Sequence, residues 1–400
     1  MGAHRDPAHH GQRGRSQGAA AGRDRRGTEL GQGALSLARA LAAAAILAAW
    51  IAVPAAAQPV LSKVPPTGVR TCLGLTKEGW PTPQACADAG PLALVPKQDG
   101  RQGAGPLAYE SVPGQPRSAC VRDRVSGLVW EGKRDNGRPT DAMAYVAQVN
   151  ASRLCGYADW RLPTVAELHG LVDLGKERVP EVRADRPLAE QSVIDARWFP
   201  NTVPAIYLSS DMRDPVSPWC VNFANGFVYD CDPDMSREPP LFVRLVRGPE
   251  APKSGRWREL PDERGVPGGA VEDRHTGLVW RRCEEPQTWN GKRCTWSAKR
   301  YDYVQALQRA GEQAGWRLPT IKEIDSLARR EADRFELPPS DFPAQGKEAL
   351  RAGQWSSTVC NSSPETSTAR ASISAWVLSR EGAIYCEARI MHLGVRLVRE

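Results

Sequence analysis

Beyond position 57 the 400-residue chain holds three histidines, His169, His275 and His392. They lack the H-E-x-x-H spacing of a zinc peptidase, so each reads more simply as a surface or hydrogen-bonded side chain. No G-x-S-x-G elbow, P-loop or G-x-G-x-x-G turn is present, and the chain is expected not to be an enzyme. Two groups could bind a ligand. Asp230, Asp232 and Asp234 alternate as at the start of an EF-hand loop, and hard carboxylate oxygens suit calcium. Met235 stands where that loop needs glycine and no glutamate closes it, so a solvated turn is the simpler reading and calcium the alternative. No other cofactor is expected. Trp289 and Trp296, flanked by Lys292, Arg293, Lys299 and Arg300, form an aromatic, basic strip that could meet an anionic glycan by stacking and charge. A solvated loop is the competing reading.

The cysteines carry the second chemistry. All ten lie beyond position 57, and an even number suits disulfides in an oxidising compartment. Zinc would need close C-x2-C or C-x4-C pairs with further ligands, and the sequence has none. Ahead of them, Arg23, Arg25, Arg26 and Arg39 lead into an apolar run, Ala40 to Val53, closed by Pro54 and Ala55-Ala56-Ala57. That order is the one of a secretory signal, read here as residues 1–57 with cleavage after Ala57. The run has 14 residues where a membrane span needs roughly 20, and an uncleaved anchor, the one route to a membrane, is the alternative. The basic stretch before the run is unusually long, so the true start codon is read as downstream of Met1. The rest of the chain carries 46 basic against 43 acidic residues, which argues against a nucleic-acid partner.

What must position these groups is a duplicated scaffold. Asp123 to Trp130 recurs as Asp273 to Trp280, and Trp160-Arg161-Leu162-Pro163-Thr164 recurs as Trp316 to Thr320, each with a glutamate three residues after the threonine. Phe199-Pro200 matches Phe342-Pro343, Ser209-Ser210 matches Ser356-Ser357, Gly226 matches Gly382, and both copies close on Val-Arg-Leu-Val-Arg. The offset stays between 143 and 156 and the order never changes. The reading is a Pro- and Gly-rich segment over 58–117, a first domain over 118–247, a linker over 248–271 and a second domain over 272–399. Two copies at so long a period mean tandem duplication rather than a solenoid, and the twins are expected to fold independently.

Each copy is expected to be α+β, two helices on a small, mainly antiparallel sheet. Thr164 with Glu167, and Thr320 with Glu323, read as capping boxes opening a helix. An earlier helix is expected from Asp141 to about Asn150, capped by Thr140, with its counterpart starting near Ser297. Strands are expected at Leu128 to Trp130, Trp219 to Phe223, Phe227 to Tyr229 and Phe242 to Val246. Their counterparts are Trp376 to Leu378, Ala383 to Tyr385 and Val395 to Val398, with hairpin turns at Asn225-Gly226 and Glu381-Gly382. Trp130, Trp160 and Trp219 with Trp280, Trp316 and Trp376 repeat at framework positions and read as core. Aligned on the hairpin glycines, Cys220 pairs with Cys231 and Cys360 with Cys386. Elimination then leaves Cys283 with Cys294, Cys120 with Cys155 and Cys72 with Cys86.

The ordered set Thr-Gly-Leu-Val-Trp, Trp-Arg-Leu-Pro-Thr-x-x-Glu, Phe-Pro, Trp-Ser-Ser, Ala-Trp and Val-Arg-x-Val-Arg resembles the Lcl C-terminal domain family, in two tandem copies. Thr67 to Cys72 and Gln98-Asp99-Gly100 also look like the segment that often precedes such a domain. The resemblance implies an exported bacterial protein, periplasmic, surface-held or secreted, with a C-type-lectin-like fold. Tyr207-Leu208 replaces the Trp of Trp-Ser-Ser, and Gly315 replaces the Asp before Trp160. These departures put in doubt a binding site shared by both copies. No collagen-like tract is present, so the adhesive role of the family's namesake does not follow from the resemblance. The expected function is a cell-envelope binding or adhesion module contacting a glycan or an envelope protein. The alternatives are a structural envelope protein and an uncharacterised enzyme.

Overall fold

In a computed structural model, residues 63–400 are described apart from 76–80, 88–96, 102–105, 134–138, 177, 179–181, 233–240, 253, 332–333, 337–352 and 361–373. The expected signal peptide and the Phe342-Pro343 match fall outside the described residues. The helices are α1 (Ala142–Ala151), α2 (Val165–Gly170), α3 (Tyr303–Gly311) and α4 (Ile321–Leu327). None is long and apolar enough to cross a membrane.

The Trp-Arg-Leu-Pro-Thr-x-x-Glu motif fixes one point in each copy by local hydrogen bonding. In α2 the Thr164 hydroxyl accepts from Glu167 N, and the Glu167 carboxylate accepts from Thr164 N at 2.8 Å. The same carboxylate takes both ends of the Arg161 guanidinium at 2.7 and 2.8 Å. α4 repeats this with Thr320, Glu323 and Arg317. The arginine between the tryptophan and the proline thus clamps the capping glutamate, a bidentate geometry that aligns helix and strand. The proline carbonyls accept from Ser210 N and Ser357 N, both at 2.7 Å, which ties the motif to the Ser-Ser pair. The first helices differ from expectation at their starts. α1 is capped by Asp141, whose carboxylate accepts from Ala144 N, rather than by Thr140. α3 begins later than Ser297, at a capping box of Asp302 and Gln305, because a carboxylate there satisfies the free N–H groups.

Each copy builds a four-stranded antiparallel sheet whose one edge strand comes from the segment just before it. The first runs Val246–Arg247, Val129–Glu131, Cys120–Asp123, Tyr109–Ser111 in spatial order, and the second Trp257–Leu260, Ala270–Asp273, Val279–Arg281, Val398–Arg399. Asp123 and Asp273 shape the turns leading into their central strands, each accepting from a backbone N–H two residues on and from the hydroxyl of Ser126 or Thr276. Gly127 and Gly277 then take φ of 76° and 80°, a conformation that favours glycine. The expected strand Phe242 to Val246 divides. Leu241–Phe242 joins one sheet and Val246–Arg247 another, since buried Arg244 between them turns to donate to Glu131 O and Thr202 Oγ1. The six matched tryptophans are all buried, and all five disulfides form as paired from the sequence.

The two copies are not separate in space. A seven-stranded sheet contains strands of both copies and is joined where Val228 pairs with Ile384, positions equivalent at the 156-residue offset set by Trp160 and Trp316. His169 and Asp325 are also equivalent at that offset, and they meet too, Nδ1 to Oδ2 at 3.2 Å. Equivalent residues touching each other mark a self-complementary interface, the arrangement of a two-fold dimer. Leu168 of α2 and Leu171 just beyond its end, Ile324 and Leu327 of α4, and Trp130, Trp219, Trp280 and Trp376 belong to one hydrophobic cluster. Leu168 and Leu171, like Ile324 and Leu327, lie three residues apart on one helical face, and the two apolar faces meet in this cluster. Residues 59–400 make one compact unit. The N-terminal segment belongs to it: the Gln98 amide bonds both Leu73 N and Leu73 O, and Asp99 accepts from Thr67 and Thr358 hydroxyls.

Candidate functional site

The strip from Cys283 to Arg300 is a pinned hairpin. Thr288–Trp289 pairs with Cys294–Thr295, and the Cys283–Cys294 disulfide staples its base. The Asn290 side-chain oxygen accepts from Lys292 N and Arg293 N, closing the turn. The six residues singled out here part company. Trp289 turns inward: it is buried, its Nε1 donates to Pro267 O at 3.0 Å, and the Arg282 guanidinium lies 4.1 Å from its ring centroid. Arg300 is half-buried and donates to Glu284. Lys292, Arg293 and Lys299 are exposed. Trp296 is 80% exposed, in a left-handed backbone conformation with φ of 65°. Its carbonyl accepts from Gln287 Nε2 at 2.9 Å. The strand ends at Thr295, and the left-handed backbone at Trp296 turns its indole away from the face that Trp289 shares with Cys294, which spacing alone does not show. The hairpin therefore presents one indole and three cations.

The aspartates and histidines are placed as follows. Asp230 is exposed and ion-paired with Arg213, Asp232 is exposed, and Asp234 lies outside the described residues. Among the described residues no three acidic, histidine or cysteine side chains gather as a metal-binding group. His169 is fully buried, and burial lowers its pKa although Asp325 opposes the shift. His275 is half-buried in its turn, also lowered by burial, and His392 is exposed.

A cavity of about 630 Å3 opens in the first copy beside α1, a place not read as a site from the sequence. Tyr145 donates to the buried Glu131 carboxylate, Lys133 Nζ donates to Tyr145 Oη at 3.0 Å, and Leu245 N donates to Glu131 Oε2. Lys133, Arg153 and Cys155, all lining this cavity, have φ of 64°, 51° and 54°. Non-glycine residues in this region are strained, and such strain gathers at functional sites. The only signal in sequence was that Glu131, next to a duplicated tryptophan, has Arg281 as its counterpart.

The motif geometry repeats in both copies, and a family model for the Lcl C-terminal domain matches residues 119–247 and 269–399. The chain belongs to the Lcl C-terminal domain family. Among curated proteins none matches it. The two departures from the motif set, one in each Lcl C-terminal domain, are accommodated locally. Leu208 takes the place of Trp355, whose indole N–H donates to Tyr301 O at 2.7 Å, and both residues are buried. Gly315 adopts φ of 75° at the entry to Trp316, while the first domain's Asp159 pairs with Arg247. The Val-Arg-x-Val-Arg ending of both Lcl domains puts a fully buried arginine onto backbone carbonyls, Arg244 onto Glu131 and Arg396 onto Arg281 and Arg282.

Proposed function

We propose that the chain is an exported, non-catalytic binding module of the bacterial cell envelope, periplasmic or surface-held, that engages anionic glycans through the Cys283 to Arg300 hairpin. The observation that carries this reading is Trp296. A disulfide-pinned hairpin holds its indole 80% exposed, whereas burying a large apolar side chain is worth ~1.5–3 kcal/mol. Lys292, Arg293 and Lys299, within four residues of it in sequence, are exposed as well, a combination that suits sulfated or acidic sugars by stacking and charge. Five disulfides support an oxidising compartment. The non-catalytic reading is supported by the ties on the obvious acid–base groups: His169 is held by Asp325, and Glu167 and Glu323 by arginines. A protein partner is the second reading, since exposed tryptophan is a common interface anchor. A glycan array run at low and high salt, with wild type and Trp296→Ala, separates the two. Salt-sensitive binding to acidic glycans that the variant loses supports the proposal. A blank array transfers the hairpin to a protein partner, and binding unchanged by Trp296→Ala removes it from the hairpin.

A further inference from the structure

The junction of the two copies encloses a cleft of about 330 Å3 that neither copy forms alone. Pro65, Leu128, Trp130 and Pro252 give it apolar walls, and α2 and α4 contribute Ala166 and Lys322. Most of its charged groups are already matched. Arg256 forks onto Asp273 at 2.6 and 2.9 Å, Glu167 onto Arg161, and Asp123 takes Val125 N and the Ser126 hydroxyl. Two buried donors keep capacity. Trp130 is 1% exposed and its Nε1 has no partner among the described residues. Lys322 is 3% exposed and gives two of its N–H groups to Pro66 O and Gly170 O, at 2.8 and 2.9 Å. An ammonium has three to give. Burial lowers the Lys322 pKa to about 7 despite three nearby aspartates, so the cation sits where an added anion would stabilise it. The copies differ here: the residue equivalent to Lys322 at the 156-residue offset is Ala166, which also lines the cleft.

We propose that this cleft binds a small organic anion, a monocarboxylate with an apolar body. Its carboxylate accepts from Lys322 Nζ and Trp130 Nε1, and its body lies against Pro65, Leu128 and Pro252. A metal cation is a poorer fit, because the cleft's carboxylates already hold donors. A free sugar is a poorer fit as well, because the walls are apolar. The site shares no residue with the hairpin and stands or falls separately.

The test uses phenylacetate as probe, with 2-phenylethanol as its uncharged counterpart, on the whole exported chain with indole N–H signals followed by NMR. Trp130→Phe assigns the Trp130 signal. Phenylacetate is expected to move that signal saturably and to raise the melting temperature, while 2-phenylethanol binds at least about tenfold more weakly, a difference of roughly 1.4 kcal/mol. Ala166→Leu, which adds bulk to the cleft lining while leaving both donor residues in place, should abolish both effects, and Lys322→Met should weaken binding at least about tenfold. If Lys322→Met fails to fold, Ala166→Leu and Trp130→Phe decide. No saturable shift with phenylacetate at millimolar concentration, or equal binding by wild type and Ala166→Leu, overturns the proposal.

Discussion

In the first copy Glu131, Tyr145 and Lys133 line a cavity of about 630 Å3, whereas at the matching place in the second the space is about 90 Å3. There Arg281 and Arg309 close on Glu285, and Arg281 also reaches Gln313. The frames around the two places are alike down to single hydrogen bonds: the Arg–Glu clamps, the Asp turns and the serine that bonds a tryptophan carbonyl at 2.7 Å in one copy and 2.6 Å in the other. After duplication the backbone-organising residues stayed paired, and change collected in side chains facing a space. The junction shows the same pattern. Where a symmetric dimer would set like against like, His169 meets Asp325, and Lys322 stands opposite in kind to Ala166. A duplicated chain can place complementary groups across a two-fold, which two identical subunits cannot do on its axis.

The largest effect is expected from separating the copies. Residues 118–247 produced alone should give no cooperative unfolding transition, because Leu168 and Leu171 would lose the face that covers them. The whole chain should give one calorimetric transition. Two well-resolved transitions, or a cooperatively folded first copy, would restore the twins as independent units. Next is Arg330, which pairs with buried Asp325 at 2.7 Å and whose counterpart in the first copy is Leu174. Arg330→Leu imposes that residue and leaves a buried carboxylate with only His169. Urea denaturation should show a loss of about 3–5 kcal/mol, and a loss below about 1 kcal/mol would mean that the pair does not hold the junction.

A smaller effect is pH-dependent. Lys322 has a folded pKa of about 7 against an ordinary 10.5, so between those values the unfolded chain binds the extra proton and stability rises with pH. Asp99 and Asp211, each raised to about 6 by burial, act in the opposite sense at lower pH. Their contribution falls as pH rises from the ordinary carboxylate value to about 6. From pH 7 to 9 wild type should therefore gain roughly 1 kcal/mol per pH unit, a slope that Lys322→Met should lack in denaturation curves. Equal slopes would show that Lys322 stays charged. The smallest effect is expected at Trp296, where alanine should change stability by no more than about 0.5 kcal/mol while removing glycan binding. A large loss of stability would mean that the hairpin's indole supports the fold after all.

Much of each copy was legible because it rests on short-range rules. Thr164 with Glu167 and Thr320 with Glu323 had to start helices, and Gly226 and Gly382 had to turn hairpins, with φ of 82° and 101°. The cysteines beside those turns could then be paired. The strip of Trp289 to Arg300 was legible only as a composition, since which indole faces water depends on the backbone turn at Trp296, just past the paired strand. Glu131, Lys133 and Tyr145 were not legible as a group: they come from a strand end, a strained loop residue and a helix, and no spacing links them.

The amino-acid order alone determined the duplication, the helix caps at Thr164 and Thr320, the five sulfur links and the family, because each depends on residues near in sequence or on motifs that repeat at fixed order. Only the tertiary structure decided that the copies share a core, that His169 and Asp325 are partners and that a cleft lies between Ala166 and Lys322. An apolar helix stripe looks the same whether it covers its own sheet or its twin, so the choice rests on the burial gained when both stripes meet.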